Sequence, residues 1–286
     1  MTAHTVSALR RTIGAELAAA GVPDAPVDAE LLIGHVLGLS RGEVQVKVAL
    51  DAPIEPDTAE EIQALVRRRA SREPLQHITG RAPFRSLTLR VGPGVFIPRP
   101  ETEQVAQLAI DALRRMPGTP RAVDLGTGSG AIALAMATEV PQAEVHAVEK
   151  SPDAYPWTAL NFAEVDAPNA TLHRGDLADA LPEFSGAVDL VISNPPYIPV
   201  AAIPRDPEVH LFDPEMALYG GEDGLDVVRL LSLSAQRLLR AGGLLVIEHG
   251  EQQAEAIAAL LRSDGWTQVT GHTDLTGRDR ATTAIR

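Results

Sequence analysis

The sequence contains no cysteine, which excludes disulfides, thiolate metal sites and cysteine nucleophiles. No apolar run approaches the ~20 residues that a membrane-spanning helix requires. The opening stretch from Met1 to Arg11 has no apolar core of signal-peptide length. A cytoplasmic location without membrane association is therefore expected. Basic residues are also scarce: 25 Lys and Arg stand against 38 Asp and Glu, a net charge of −13. The imbalance is uneven, with 9 basic against 11 acidic residues over 1–82 and 16 against 27 over the remainder, giving −2 and −11. Nucleic-acid binding draws mainly on phosphate neutralisation, so the larger part of the chain repels a polyanion. Neither an internal repeat nor a low-complexity tract is present.

What is present, 45% hydrophobic and 22% charged residues over 286 positions, suits a globular protein with one large domain or a large and a small one. Residues 1 to about 80 read as helices. Val6, Leu9, Ile13 and Leu17 recur at helical spacing until Gly21-Val22-Pro23. Asp28 is the expected N-cap of a helix beginning Ala29-Glu30-Leu31, with Gly38 near its far end. Asp57-Thr58-Ala59-Glu60 reads as a capping-box start for a helix carrying Ile62, Leu65 and Val66. Arg67-Arg68-Arg69 would end that helix as a solvated cluster complementing its dipole, with a docking patch for a partner as the alternative. Phe84 to Val91 alternates as a strand, closed by Gly92-Pro93-Gly94, and is expected to form one arm of a hairpin between domains. Val95 to Glu103, dense in polar groups around Pro98 and Pro100, leads into a helix through Val105, Leu108 and Ala109. It reads as a linker or as a lid segment over a ligand site.

From Arg121 the pattern becomes strand–helix alternation. Strands are expected at 122–125, 143–149, 171–174, 188–193, 244–248, 267–270 and 282–285. Helices are expected at 131–139, 153–165, 225–240 and 251–263, the third stopping at Ala241-Gly242-Gly243. Repeated βα units imply an α/β fold with an open, mostly parallel sheet covered on both faces. In such a sheet the ligand lies beyond the carboxyl ends of the strands. A glycine turn and two acids sit at three successive strand ends. Gly126-Thr127-Gly128-Ser129-Gly130 follows the first strand and offers close backbone approach and free N–H groups. Its G-x-G-x-G spacing differs from the G-x-G-x-x-G of dinucleotide sites. Glu149, ending the second strand, is able to accept bonds from two ribose hydroxyls. Asp176, after the third, is placed to accept from an adenine amine. Each acid alone reads as a solvated loop residue; at successive strand ends they read as a nucleoside site.

Asn194-Pro195-Pro196-Tyr197 follows the fourth strand. Neither proline donates a backbone hydrogen bond, and each fixes its own φ, so the sheet stops there. The proline after Asn194 holds that residue extended. A stiff loop results, presenting one amide and one aromatic ring in fixed directions. Glu248 and His249, ending the fifth strand, read as structural.

The set Asp124-Leu125-Gly126-x-Gly128-x-Gly130, Glu149 and Asp176 resembles the S-adenosylmethionine site of class I methyltransferases. Asn194-Pro195-Pro196-Tyr197 is similar to the motif of enzymes that methylate a planar NH2 on an amide or an adenine. With Ile97-Pro98-Arg99-Pro100-Glu101-Thr102-Glu103 and Gly277-Arg278-Asp279-Arg280, the chain resembles the HemK/PrmC family from about residue 74 to its end. The resemblance implies a Rossmann-like class I S-adenosylmethionine-dependent fold with a seven-stranded, mostly parallel sheet. Residues 1–82 would form a helical, partner-docking domain, 83–99 a β-hairpin linker and 100–286 the methyltransferase domain. It implies methyl transfer from S-adenosyl-L-methionine, leaving S-adenosyl-L-homocysteine, to the glutamine N5 in the Gly-Gly-Gln motif of peptide chain release factors. In that family picture Asn194 and Pro195 hold the substrate amide, with Pro196 and Tyr197 packed against it. Gly126, Thr127, Gly128, Ser129, Gly130, Glu149, Asp176, Leu177, Phe96 and Asn194 line the cofactor site, and Arg99 and Glu101 hold substrate or cofactor. Leu177 stands where many members carry an aromatic residue. No metal is expected, because a sulfonium leaves as a neutral thioether. The alternatives are an adenine-N6 methyltransferase acting on DNA or RNA, which needs a basic groove, and an NAD-dependent dehydrogenase, which leaves the glycine spacing and the Asn-Pro-Pro-Tyr loop unexplained. A non-catalytic adaptor would be expected to have lost that loop.

Overall fold

The computed structural model describes residues 5–204 and 206–286. The chain divides into two compact units, Met1–Arg81 with Pro204–Phe212, and Ala82–Ile203 with Asp213–Arg286. In the first, α1 (Val6–Ala19), α2 (Ala25–Leu37), α3 (Arg41–Ala49), α4 (Pro56–Ala70) and α5 (Leu75–Thr79) enclose a core that includes Ile13, Leu17, Leu32, Ile33, Ile62 and Val66. Thr5 caps α1, its side chain accepting from the Ala8 N–H at 3.2 Å. A capping box between Ser40 and Glu43, which the sequence reading passed over, starts α3.

Three expectations in this unit are corrected. Helix α2 starts after Asp24 with Pro26 in its first turn, so Asp28 lies inside the helix and is not its cap. Helix α4 starts at Pro56 after Glu55, because proline at the first helical position loses only an N–H that has no helical partner. Arg69 is not solvated. Its side chain is 5% exposed, with Nε donating to Asp28 at 2.6 Å and Nη1 paired with Glu208 at 2.8 Å. Arg68 pairs with Glu73 at 2.6 Å.

In the second unit a hairpin of β1 (Arg81–Phe84) and β2 (Leu87–Arg90) precedes α6 (Pro100–Arg115). The strand expected over 84–91 is therefore broken by a turn at Arg85, which adopts φ +53°. That left-handed residue is held by its own side chain, which pairs with Glu139 and donates to Gln107 at 2.6 Å, while its N–H donates to Glu103 at 2.9 Å. Then follow β3 (Arg121–Leu125), α7 (Ala131–Glu139), β4 (Glu144–Glu149), α8 (Tyr155–Val165), β5 (Ala170–Arg174) and β6 (Val188–Ser193). Two short helices that the sequence reading did not anticipate come next, α9 (Pro207–Phe212), which belongs to the helical unit, and α10 (Glu215–Leu218). The chain closes with α11 (Asp226–Leu238), β7 (Leu239–Glu248), α12 (Ala254–Ser263), β8 (Thr267–Thr273) and β9 (Asp279–Ile285). Strand β7 begins before Ala241-Gly242-Gly243, so those residues lie within the strand and do not end a helix. Among the described residues no helix is long and apolar enough to cross a membrane.

The seven strands run β5-β4-β3-β6-β7-β9-β8, with β9 antiparallel to both neighbours and the rest parallel. Alternation along each strand feeds two cores. Leu190, Ile192 and Val246 face α6 and α7, whereas Val191, Leu245 and Ile247 face α11 and α12. The order reverses at β3, from which the chain moves outward to β4 and β5 before returning to β6 on the opposite side. The carboxyl ends of β3 and β6 therefore lie side by side, at the switch point where open α/β sheets bind ligands.

Replacing Arg69 with alanine leaves the Asp28 carboxylate without its partner inside the helical unit, while Glu208 keeps Arg72 at 2.9 Å. Chemical denaturation is expected to show a loss of ~3–5 kcal/mol; a loss under ~1 kcal/mol, the scale of exposed pairs, would mean the network does not hold the unit together.

Candidate active site

The glycine turn leaves β3 and folds over the end of β4, where the Val148 carbonyl accepts the N–H groups of Gly126 at 2.9 Å and Thr127 at 3.0 Å. Gly126, Gly128 and Gly130 all adopt left-handed φ, at +75°, +58° and +85°, a region that costs residues with a Cβ. This explains the every-second-residue spacing. Open space lies beyond Gly126 and Gly128, whereas a Cβ on Gly130 would meet Phe162 at 3.0 Å. The first two glycines thus face a free surface and the third packs against α8. Two polar side chains of α8, unremarked in the sequence, hold the turn from behind. Thr158 donates to the Gly128 carbonyl at 2.5 Å, and Asn161 donates to the Ser129 carbonyl at 2.8 Å. Nothing in the sequence singled them out, since a Thr and an Asn within an apolar helix carry no motif.

Two acids, Asp124 and Glu149, bond this turn, and a third, Asp176, follows the neighbouring strand β5. Asp124 is fully buried; one oxygen accepts from Thr127 at 2.5 Å and from the Ala133 N–H at 3.2 Å, while the other has no partner. Burial, with Glu149 adding to it, pushes its carboxyl up to about 7. Glu149 is 7% exposed and accepts the N–H groups of Gly128 and Ser151, both at 2.7 Å. Burial raises its pKa, and these backbone bonds oppose that rise. Asp176, more open, accepts from the Ala178 N–H at 3.1 Å and pairs with the Lys150 ammonium at 2.7 Å. The Lys150 bond holds its carboxyl below the usual range. Leu177 turns into the core shared with α11 and α12.

Across the switch point stands the Asn-Pro-Pro-Tyr loop. The Ser193 hydroxyl donates to the Leu125 carbonyl at 2.6 Å, joining the last residues of β6 and β3. The Asn194 amide and the Pro195 carbonyl make no hydrogen bond within the described chain, so both are free to engage a ligand. The following residues are fixed. Ile198 donates to the Leu218 carbonyl at 2.8 Å and accepts from Gly220 at 2.9 Å. The Gln253 side chain donates to the Tyr197 carbonyl at 2.8 Å and accepts from Gly250 at 3.0 Å. A Cβ on Gly220 would meet the Pro196 carbonyl at 2.5 Å, and one on Gly224, at φ +78°, would strike the Tyr197 carbonyl. Gly220, Gly224 and Gln253 form the seat of the loop. The glycines were visible in the sequence only as a turn signal.

The segment before α6 contributes around this loop. Arg99, the N-cap residue of α6, pairs with the buried Asp213 and lies over the Phe96 ring, 5.0 Å from its centroid. Thr102 is buried and donates to Glu248 at 3.1 Å. Glu101 and Arg280 bear electrostatically on Tyr197, whose phenol burial pushes up to about 12. His249, fully buried, bonds the Gly250 carbonyl and the Thr282 hydroxyl, both at 2.9 Å, and is engaged on both ring nitrogens.

Residues 8–80 match the PrmC N-terminal domain and residues 86–204 the methyltransferase small domain. The chain is 49% identical to the release factor glutamine methyltransferase of Streptomyces coelicolor over 94% of its own length and 93% of that protein's. It is 47% identical to the protein of the same name from Mycolicibacterium smegmatis, covering 95% and 94%. Among solved structures, the release factor-specific protein-(glutamine-N5) methyltransferase of Alicyclobacillus acidocaldarius is 30% identical over 69% of this chain and 98% of that one, with a TM-score of 0.44. With such identity across nearly its whole length, and with the glycine turn and the Asn-Pro-Pro-Tyr loop side by side at the switch point, the chain belongs to the HemK/PrmC family of methyltransferases.

Proposed function

We propose that this enzyme transfers a methyl group from S-adenosyl-L-methionine to the side-chain amide nitrogen of the glutamine in the Gly-Gly-Gln motif of peptide chain release factors. One observation carries the reading. An unengaged amide and an unengaged carbonyl, at Asn194 and Pro195, sit on a rigid loop bonded through Ser193 to the strand that bears the glycine turn.

The residues fit an adenosyl sulfonium. Gly126, Thr127, Gly128, Ser129 and Gly130 leave room for close approach, Glu149 suits ribose hydroxyls, and Asp176 suits an adenine amine. Phe96 adds apolar surface. The buried acid Asp124 balances a cation. When bound, the cofactor supplies a methyl group on positively charged sulfur. What remains for the protein is orientation, because an amide nitrogen is a poor nucleophile whose lone pair is delocalised into the carbonyl. Asn194 Oδ1 and the Pro195 carbonyl each accept one N–H of the substrate amide, while Pro196 and Tyr197 pack against its plane. The nitrogen that gains a methyl gives up one of its two protons to water, and the two oxygen acceptors hold both N–H groups in place and stabilise the developing charge without taking the proton. Arg99 and Glu101 flank the entrance of the substrate.

Incubation with labelled S-adenosylmethionine and a purified release factor is expected to place one methyl on the Gly-Gly-Gln glutamine, located by mass spectrometry. Asn194→Ala is expected to lower that rate by about 10²–10³-fold. Label in DNA or RNA would instead favour an adenine-N6 enzyme. Gly224→Ala, which drives a methyl against the Tyr197 carbonyl, is expected to slow methylation roughly a hundredfold. Gly271→Ala, on β8 with nothing within 4 Å of its Cβ, leaves it unchanged; equal effects would remove the loop's seat from the account. Because Asp124 titrates near about 7 and a bound cation favours its ionised form, cofactor affinity is expected to rise with pH through that value, approaching tenfold per unit on the acid side. Calorimetry should find this slope in the natural protein and not in Asp124→Asn.

A further inference from the structure

Three sequence motifs outside the cofactor turn meet in one half-buried polar cluster at the Asn-Pro-Pro-Tyr loop. Glu101 and Thr102 come from the Pro-Arg-Pro-Glu-Thr-Glu segment, Tyr197 from the loop and Arg280 from Gly-Arg-Asp-Arg. Glu248, the last residue of β7, is the fifth member. The β6–β7 pairing puts Ser193 opposite Ile247, so Glu248 lies level with Asn194, one residue beyond the last pair. The β7–β9 pairing puts Glu248 opposite Ala281, next to Arg280.

The hydrogen bonds of this cluster are incomplete in a complementary way. Glu248 is 1% exposed; Thr102 donates to its Oε1 at 3.1 Å, and its Oε2 is buried without a partner. The Arg280 guanidinium reaches Asp274 at 3.5 Å through Nη2, while its Nε is also buried without a partner. One orphaned acceptor and one orphaned donor therefore share a cluster with a phenol, which both accepts and donates. The charges facing that phenol are Glu248, Arg280 and Glu101. Those facing Glu248 are Arg280 and Glu101. The adjoining His249 is turned away, onto Gly250 and Thr282.

We infer that the Tyr197 hydroxyl bridges these two groups in the working enzyme, accepting from Arg280 and donating to Glu248, so that Glu248 and Arg280 are positioning residues that fix the ring packed on the substrate amide. This role rests on the loop's reading as the amide holder. Neither residue touches a reacting atom; they act through Tyr197. Ionised Glu248 is the form that accepts the phenol proton. Its carboxyl is pushed up to about 7 by burial, with Thr102 and Arg280 opposing and Glu101 reinforcing that rise. Protonation of Oε2 below that pH turns the acceptor that faces the phenol into a donor and loosens the ring.

The test is kcat for release-factor methylation against pH, at saturating cofactor, for the natural protein, Glu248→Gln, Tyr197→Phe and the double variant. The natural protein is expected to lose kcat on the acid side of about pH 7. Each single variant is expected to lower the plateau kcat about tenfold and to flatten that limb, and the double variant to be no slower than either single one. Circular dichroism and cofactor binding, unchanged in Tyr197→Phe, separate loss of positioning from loss of fold. Losses that multiply in the double variant, or an acid limb that survives in Glu248→Gln, would overturn the bridge. Failure of the natural protein to methylate the release factor would instead overturn the function on which the bridge rests.

Discussion

The pairing of β3 with β6 is the constraint from which the rest of the site follows. Asp124 lies opposite Ile192 in the ladder, so the glycine turn and the Asn-Pro-Pro-Tyr loop leave the sheet at the same level and in the same direction. The Ser193 hydroxyl on the Leu125 carbonyl ties the two exits together. A parallel sheet whose strand order reverses at its centre cannot place these loops anywhere else. The sequence separation of 68 between Leu125 and Ser193 becomes irrelevant to the distance that matters, which is the width of one strand pairing.

Rigidity on the two sides of that junction is achieved by different means. The glycine turn is soft by composition and is stiffened from outside, by α8 side chains that take up its carbonyls and by Glu149, which takes the Gly128 N–H. The Asn-Pro-Pro-Tyr loop is stiff by composition and is seated from outside, by two glycines with no room for a Cβ and by Gln253. Among the described residues the Asn194 amide and the Pro195 carbonyl, at the tip of that loop, make no hydrogen bond. A loop with every group satisfied would be a structural corner; the adjacent Asn194 Oδ1 and Pro195 carbonyl are the two acceptors that we propose receive the donors of a planar NH2.

Buried charge is used in both units, with different surroundings. In the helical unit Arg69 is balanced by Asp28 and Glu208, and Glu30 by Arg10 and Arg41, so the ions are complete within the fold. Around the sheet, Asp124 and Glu248 each keep one oxygen buried without a partner. Both lie at strand ends, beside the glycine turn and the Asn-Pro-Pro-Tyr loop. A buried carboxylate left half-satisfied costs stability, and these two are at the end of the sheet where we propose that the chemistry takes place.

Strand–helix alternation, the glycine spacing, the acids at strand ends and the two prolines are local signals, and all were legible along the chain; the βα elements follow from them, with boundaries shifted by a few residues. Boundaries moved where a local signal had a competitor. Asp28 and Asp57 yielded their capping positions to Asp24 and Glu55 because Pro26 and Pro56 favour first-turn positions. Arg85 broke its strand because an ion pair and two further bonds hold it left-handed. The helices between 207 and 218 gave no sustained periodicity, being too short to show one. Tertiary structure alone decided that Arg69 is buried, that Thr158 and Asn161 hold the glycine turn, and that Glu101, Tyr197, Glu248 and Arg280 share one cluster. Periodicity and composition report what a residue prefers among its chain neighbours. Which distant carboxylate meets which guanidinium depends on the strand order, and that is settled only when the sheet closes its two cores.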